Sequence, residues 1–220
     1  MIKLPICVVA LATFASACQS PTPNQDVFSL PQTHQCPQGQ QVSSRGGTVF
    51  RHPVVNVIFW GEWDRQVSNQ YVSAIQSMST YMGSRLSEYG VEGFTLGYFA
   101  YQGNITNPIS LLSPNLAVNL MLYPPGYYPS EMANCGCDGY HNWFTSFVVA
   151  DVTYHDNIND GTYVISHELW ESFTDPQSNT YYDNNNGGEV ADLCDSEPAI
   201  ILPDGTHIES AWSQEQCRCQ

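Results

Sequence analysis

His167, Glu168 and Glu171 stand within Ser166-His167-Glu168-Leu169-Trp170-Glu171-Ser172-Phe173-Thr174-Asp175-Pro176, and their types and spacing suit a divalent cation. Wound into a helix, the stretch puts His167 and Glu171 one turn apart on one face, with Glu168 beside them. This is the two-ligand helix pattern His-Glu-x-x-His with glutamate in the second ligand position. Zn2+ takes imidazole nitrogen and carboxylate oxygen at similar bond lengths, so His167 and Glu171 can act as ligands and Glu168 as a base. The competing account of the same residues is an acidic patch, solvated or capping the helix.

A catalytic zinc site takes three protein ligands and leaves a further position open. Glu189, 22 residues after His167, is the first choice for the third ligand, with Asp192 orienting a ligand from behind. Asp175, eight residues after His167 on the same helical face, and His141, from a Cys-, Gly- and Asn-rich loop, are the alternatives, as is Asp192 itself. Glu168 is the expected general base, accepting a proton from water and passing it to a leaving amine, which makes metal-assisted peptide hydrolysis the expected reaction. A carboxylate in place of the second imidazole neutralises the cation further and weakens its acidity, so the set also suits a harder ion. Asp183-Asn184-Asn185-Asn186-Gly187-Gly188 has the look of the start of a Ca2+ loop, but its twelfth position is Cys194 and an ordinary turn competes with it. Tyr127, Tyr128, Tyr181, Tyr182 and Trp143 either fill core and loops or stack on sugar rings.

The motif needs a frame. Val54 to Trp60 is a β-branched and aromatic run ended by Gly61, which reads as a buried strand. From Ser68 to Tyr89 the apolar period changes to three and four, which predicts an amphipathic helix stopped by Gly90. Further strands are expected over Phe94–Tyr101, Leu116–Tyr123 and Thr145–Tyr154. Asp160 is the expected N-cap of the motif helix, and Asp175-Pro176 its end. Strand, long helix, three strands and then the motif helix is the order of the catalytic half of zincin-type peptidases. The expected fold is therefore α/β (α+β): a zincin-like single domain with a twisted mixed sheet of about four to five strands, a long backing helix and an active-site helix.

The N-terminus reads as a targeting segment: Lys3 is the only charge before Asp26, Leu4 to Phe14 is apolar but too short to span a bilayer, and Ala15-Ser16-Ala17 is a small-residue cleavage site. Residues 1–17 are the expected signal peptide, Cys18 the expected lipidation site, 18–47 a Pro-, Gln-, Ser- and Thr-rich tether, and 48–220 the domain. Six further cysteines then remain after Cys7 leaves with the signal: Cys36, Cys135, Cys137, Cys194, Cys217 and Cys219. An even set in an exported chain reads as disulfides of open connectivity, with a four-thiolate zinc site on the two Cys-x-Cys pairs as the rival. Without Lys3 the chain keeps five arginines against 21 acidic residues. A surface this acidic repels nucleic acid and anionic lipid, which leaves a lipid anchor as the expected membrane contact.

Seven blocks in order resemble the bacterial relatives of the plant phosphate-induced, EXORDIUM-like proteins: Val55–Gly61, Leu122–Gly126, Gly139-Tyr140-His141, Ser166–Leu169, Thr174-Asp175-Pro176, Tyr182-Asp183 with Gly188–Cys194, and Ala211-Trp212-Ser213. The resemblance implies an exported protein. Plant members are cell-wall or apoplastic proteins whose matching helix lacks the His-Glu pair, which this chain keeps. Two functions follow as expectations: an exported, lipid-anchored zinc-dependent metallohydrolase acting on peptides or proteins, or a non-catalytic cell-envelope protein binding wall glycan or a protein partner. A metal with a purely structural role over residues 167–194 is the third.

Overall fold

The computed structural model of the chain describes residues 36, 39, 42–102, 117–144 and 147–220. The expected signal peptide, Cys18 and most of the tether lie outside them. The domain begins earlier than residue 48, because Val42–Ser44 forms a strand, β1, with Val42 buried.

The frame is a five-stranded mixed sheet. Its first strand in the chain, β2 (Val54–Trp60), is the stretch whose β-branched and aromatic side chains favour an extended backbone. An N-cap from Asp64, whose carboxylate accepts from the Gln66 and Val67 amides at 2.8 and 3.0 Å, then starts α1 (Arg65–Tyr81). The α-helix stops eight residues short of the expected Tyr89 and continues as two 3₁₀ turns, Met82–Ser84 and Ser87–Tyr89. Met82, Leu86 and Tyr89 stay buried through them, which is why the apolar period looked continuous. Gly83 lies against the backbone of Gly93 there, closer than any side chain would allow.

β3 (Thr95–Gln102) and β4 (Ala117–Leu122) flank β2, both parallel to it. A short helix, α2 (Ser130–Cys135), precedes a hairpin of β5 (Gly139–Phe144) and β6 (Phe147–Val152). β6 lies parallel to β4 and β5 antiparallel to β6, giving the order β3-β2-β4-β6-β5 with β5 as an edge. His141 therefore sits on a strand rather than in a loop. Glycine and asparagine around it hid the alternation that marks a strand.

α3 (Ile158–Thr174) carries the motif. Its N-cap is Asn157, whose side chain accepts from the Asn159 amide at 3.2 Å, and Asp160 falls in the first turn, where an acidic side chain meets the positive end of the helix dipole. Ile165, Leu169, Trp170 and Phe173 join Tyr71, Ile75 and Met78 of α1 and Val55, Val57, Phe59, Val118, Leu120 and Val148 of the sheet in one apolar core. Gly161 of α3 abuts the Tyr71 ring so closely that a Cβ would overlap its hydroxyl.

The last 45 residues close the fold as short pairs. β7 (Tyr181–Asp183) pairs with β1, β8 (Ile200–Ile201) with β9 (His207–Ile208), and β10 (Trp212–Ser213) with β11 (Arg218–Cys219). Disulfides Cys36–Cys217, Cys135–Cys137 and Cys194–Cys219 use all six expected cysteines, so none is left for a thiolate metal site. Among the described residues no helix is long and apolar enough to cross a membrane.

Candidate metal centre

Three hydrogen bonds from the motif helix lay the 207–209 segment along it. Thr162 Oγ1 donates to the His207 carbonyl (2.8 Å), Ser166 Oγ accepts from the Glu209 amide (2.7 Å), and Trp170 Nε1 donates to the Glu209 carbonyl (2.9 Å). They fix the buried Glu209 carboxylate at 2.7 Å from His167 Nδ1. The opposite ring nitrogen, Nε2, then faces Glu171 Oε1 at 3.3 Å and Asp192 Oδ1 at 3.7 Å. Asp192 arrives on the 3₁₀ turn Asp192–Cys194, where its backbone amide donates to Glu171 Oε1 at 3.3 Å.

On the other side of Glu171 stands His141 of β5. Its Nδ1 lies 3.4 Å from Glu168 Oε2 and 3.6 Å from Glu171 Oε2, and its Nε2 lies 3.9 Å from Glu189 Oε1. Donor atoms of His167, Glu171 and Asp192 lie within 4.8 Å of one another, as do those of His141, Glu168 and Glu171, and those of His167, Asp195 and Glu209.

The first-choice ligand set is thus brought together in part. His167 and Glu171 meet, but Asp192 completes their group, while Glu189 approaches His141. Asp192, one of the expected alternatives, thus stands where Glu189 is the first choice. Asp175 is fully buried; its Oδ1 accepts from the Asn179 and Thr180 amides, both at 2.6 Å, while its Oδ2 is buried without a hydrogen bond and its charge acts on His141 and Glu189. Asp183 likewise accepts from the Asn185 and Asn186 amides at 3.3 Å, closing the turn proposed as a Ca2+ loop. Glu209 and Asp195 were missed by sequence reasoning. Neither holds a motif spacing to the helix, and only the register of 207–209 along the helix brings Glu209 in.

The donors fit a divalent cation. Glu168, Glu171, Glu189, Asp192 and Glu209 gather around two imidazoles, and the ion pairs among them run only to histidine. His141 Nε2, Glu168 Oε2, Glu189 Oε1 and Glu209 Oε1 are buried and make no hydrogen bond, a costly state that a bound cation relieves. Electrostatics record the crowding. Burial works against a charged His167, yet Glu171 and Glu209 outweigh it and lift the imidazole to about 12. For His141, burial is likewise outweighed, by Glu168, Glu189 and Glu171, and the ring is lifted to about 9. Burial, then the Glu171 charge, pushes Glu189 up to about 9. Burial raises Glu168 above the usual carboxylate range, while Glu171 is held below it, the two histidines overcoming its burial.

His167, Glu168, Asp192, Glu209, Gly139 and Tyr163 face a cleft of about 320 Å³ at the β5 edge. Of the aromatics expected either to fill the core or to stack on sugars, Tyr181 is fully buried, whereas Tyr127 and Tyr128 are exposed. Comparisons of this chain with protein-family models, with curated proteins and with solved structures find no match.

Proposed function

We propose that the protein is an exported metallohydrolase that cuts peptide bonds, with Zn2+ held by His167 Nε2, Glu171 and Asp192, and Glu168 as general base. The observation that carries this is the His167 ring: Glu209 holds one nitrogen at 2.7 Å while the other faces two carboxylates at 3.3 and 3.7 Å. A carboxylate behind a ligating imidazole fixes its orientation and tautomer, the arrangement typical of zinc-bound histidine. A divalent cation bound there supplies Lewis acidity to a scissile carbonyl and to water. Glu168 lines the same cleft as His167, where its carboxylate can take the proton of the attacking water and hand it to the leaving amine. His167 is the only imidazole in this ligand set, so the centre is a weaker Lewis acid than one with two. β5 is an edge strand whose Gly139 lines the cleft, and an extended peptide can add to such an edge, which favours a peptide or protein substrate.

The order of strand, long helix, strands and motif helix supports a zincin-type frame by analogy. The signal-like N-terminus, Cys18 and the EXORDIUM-like blocks support export to the cell envelope, held there by lipid on Cys18. Elemental analysis of protein purified without added metal is expected to find zinc. Glu168→Gln is expected to lower kcat on a peptide library by about 10²–10⁴-fold with zinc at the His167 site unchanged. Metal-free protein, or a Glu168→Gln variant as active as the parent, would sink the proposal.

A second reading, a glycan-binding envelope protein, draws on Trp60, Tyr123 and Tyr127, whose rings lie 5.2 to 6.0 Å apart beside the exposed Tyr128. Under that reading the double change His167→Ala, Glu171→Ala leaves glycan binding intact.

A further inference from the structure

We infer that Glu171 bridges two cation positions, and that the second one, built from His141 Nδ1, Glu171 Oε2 and Glu168 Oε2, is an inhibitory zinc site. The inference rests on the proposed function, because it gives the general base a second role. Each oxygen of Glu171 addresses a different imidazole: Oε1 lies 3.3 Å from His167 Nε2, and Oε2 lies 3.6 Å from His141 Nδ1. A carboxylate so placed can span two ions at the ~3.5–4 Å spacing of paired metal sites.

The three donors of the second position come from two elements, α3 and β5, and lie within 4.8 Å of one another. This is no solvated acidic patch. The side chains of His141, Glu168 and Glu171 are only 7%, 5% and 5% exposed, and Glu168 Oε2 makes no hydrogen bond inside the cluster. Gly139 makes the approach possible: a Cβ there would overlap Glu168 Oε1 and come within 2.6 Å of Val164 Cγ1.

The two imidazoles are arranged alike. His167 turns one nitrogen to Glu171 and Asp192 and the other to Glu209. His141 turns one nitrogen to Glu168 and Glu171 and the other to Glu189 at 3.9 Å. His167 has the hydrogen-bonded carboxylate behind it that zinc ligands have, Glu189 stands behind His141 beyond hydrogen-bond distance, and Glu171 lies between the two rings. One imidazole and two carboxylates suit Zn2+. Once Glu168 Oε2 is a ligand, the cation draws charge from the whole carboxylate and lowers its proton affinity, so Glu168 becomes a much poorer acceptor for the proton of the attacking water. Filling the second position therefore slows the first.

The test uses the disulfide-intact chain, stripped with a chelator and dialysed against rising Zn2+. Wild type should reach two equivalents, and peptide hydrolysis should climb to the first and fall at least tenfold at the second. His141→Ala should stop at one equivalent. Glu189→Gln, which keeps the ring and its packing, should retain the first equivalent and weaken the second by about 10–100-fold. One equivalent in wild type, or a second equivalent that survives both substitutions, overturns the bridge while leaving the first site standing. No zinc in wild type, or activity undiminished at the second equivalent, overturns the inference as well, and only the former also removes the proposed function.

Discussion

The carboxyl of Asp151 shows how far this sheet bends the chemistry of a single side chain. Burial pushes it up to about 7, and the charges of Glu168 and Glu131 add to that, although the Tyr123 hydroxyl donates to it at 2.6 Å. The folded chain therefore keeps this proton up to about pH 7, whereas an unfolded chain releases it near 3.8. Its contribution to stability is full below the lower value and is lost as pH rises through the upper one. Asp151→Asn retains an acceptor for Tyr123 without the buried charge. It should raise Tm at pH 8 by about 2–4 °C, the equivalent of about 1 kcal/mol in a chain of this size, and the gain should vanish towards pH 4. Thermal melts of both proteins across that range decide it; a gain independent of pH would assign the effect to packing. Individual residues of the candidate metal centre were partly legible. His167, Glu168 and Glu171 follow from spacing alone, while the approach of Asp192 rather than Glu189 to His167 does not. Those two are three positions apart, on a loop running into a 3₁₀ turn, and the path of that turn decides which imidazole each one faces.

Helix α3 and strand β5 form the joint on which the centre depends. The helix was legible because its His-Glu-x-x-Glu spacing and its Asp-Pro end are local signals. The strand was not, because Gly139 and Asn142 read as turn residues and its pairing partner β6 is what makes it extended. Gly139 is also where the two elements touch most closely. Gly139→Ala should cost about 1–3 kcal/mol through overpacking, because both Glu168 and Val164 must move aside. Chemical denaturation measures that cost, and a loss below about 0.5 kcal/mol would mean that the joint yields more easily than its packing indicates. The long helix shows the opposite failure: its pattern of buried Met82, Leu86 and Tyr89 runs on through 3₁₀ turns, so a correct reading of burial overstated the length of the α-helix.

As a molecule, the protein combines a sheet-and-helix core with a 45-residue tail that has little regular structure and is held by side-chain bonds and disulfides. Cys194–Cys219 ties the turn that carries Asp192 to the C-terminal strand, and Cys36–Cys217 ties the N-terminal approach to the same strand region. The Cys194–Cys219 bridge closes a separation of 25 residues, so its loss through Cys194→Ser with Cys219→Ser should cost about 3 kcal/mol, or about 6–12 °C in Tm. Cys135–Cys137 spans only two, and its removal should cost about 1 kcal/mol by the same entropy argument. Equal losses in the two double variants would refute the loop-length account. By itself the sequence determined what is local or additive: the acidic charge, the even cysteine set, the order of the longer strands and helices, and a histidine and two glutamates at a spacing that suits two candidate ligands and a base. Those properties need no knowledge of where distant segments lie. Only the tertiary structure decided the cysteine pairing, the strand under His141, the arrival of Glu209, and the sharing of Glu171 between two imidazoles. Each of these depends on contacts between residues far apart in the chain, formed when the tail and the β5 edge close over α3, and no spacing along the chain encodes that closure.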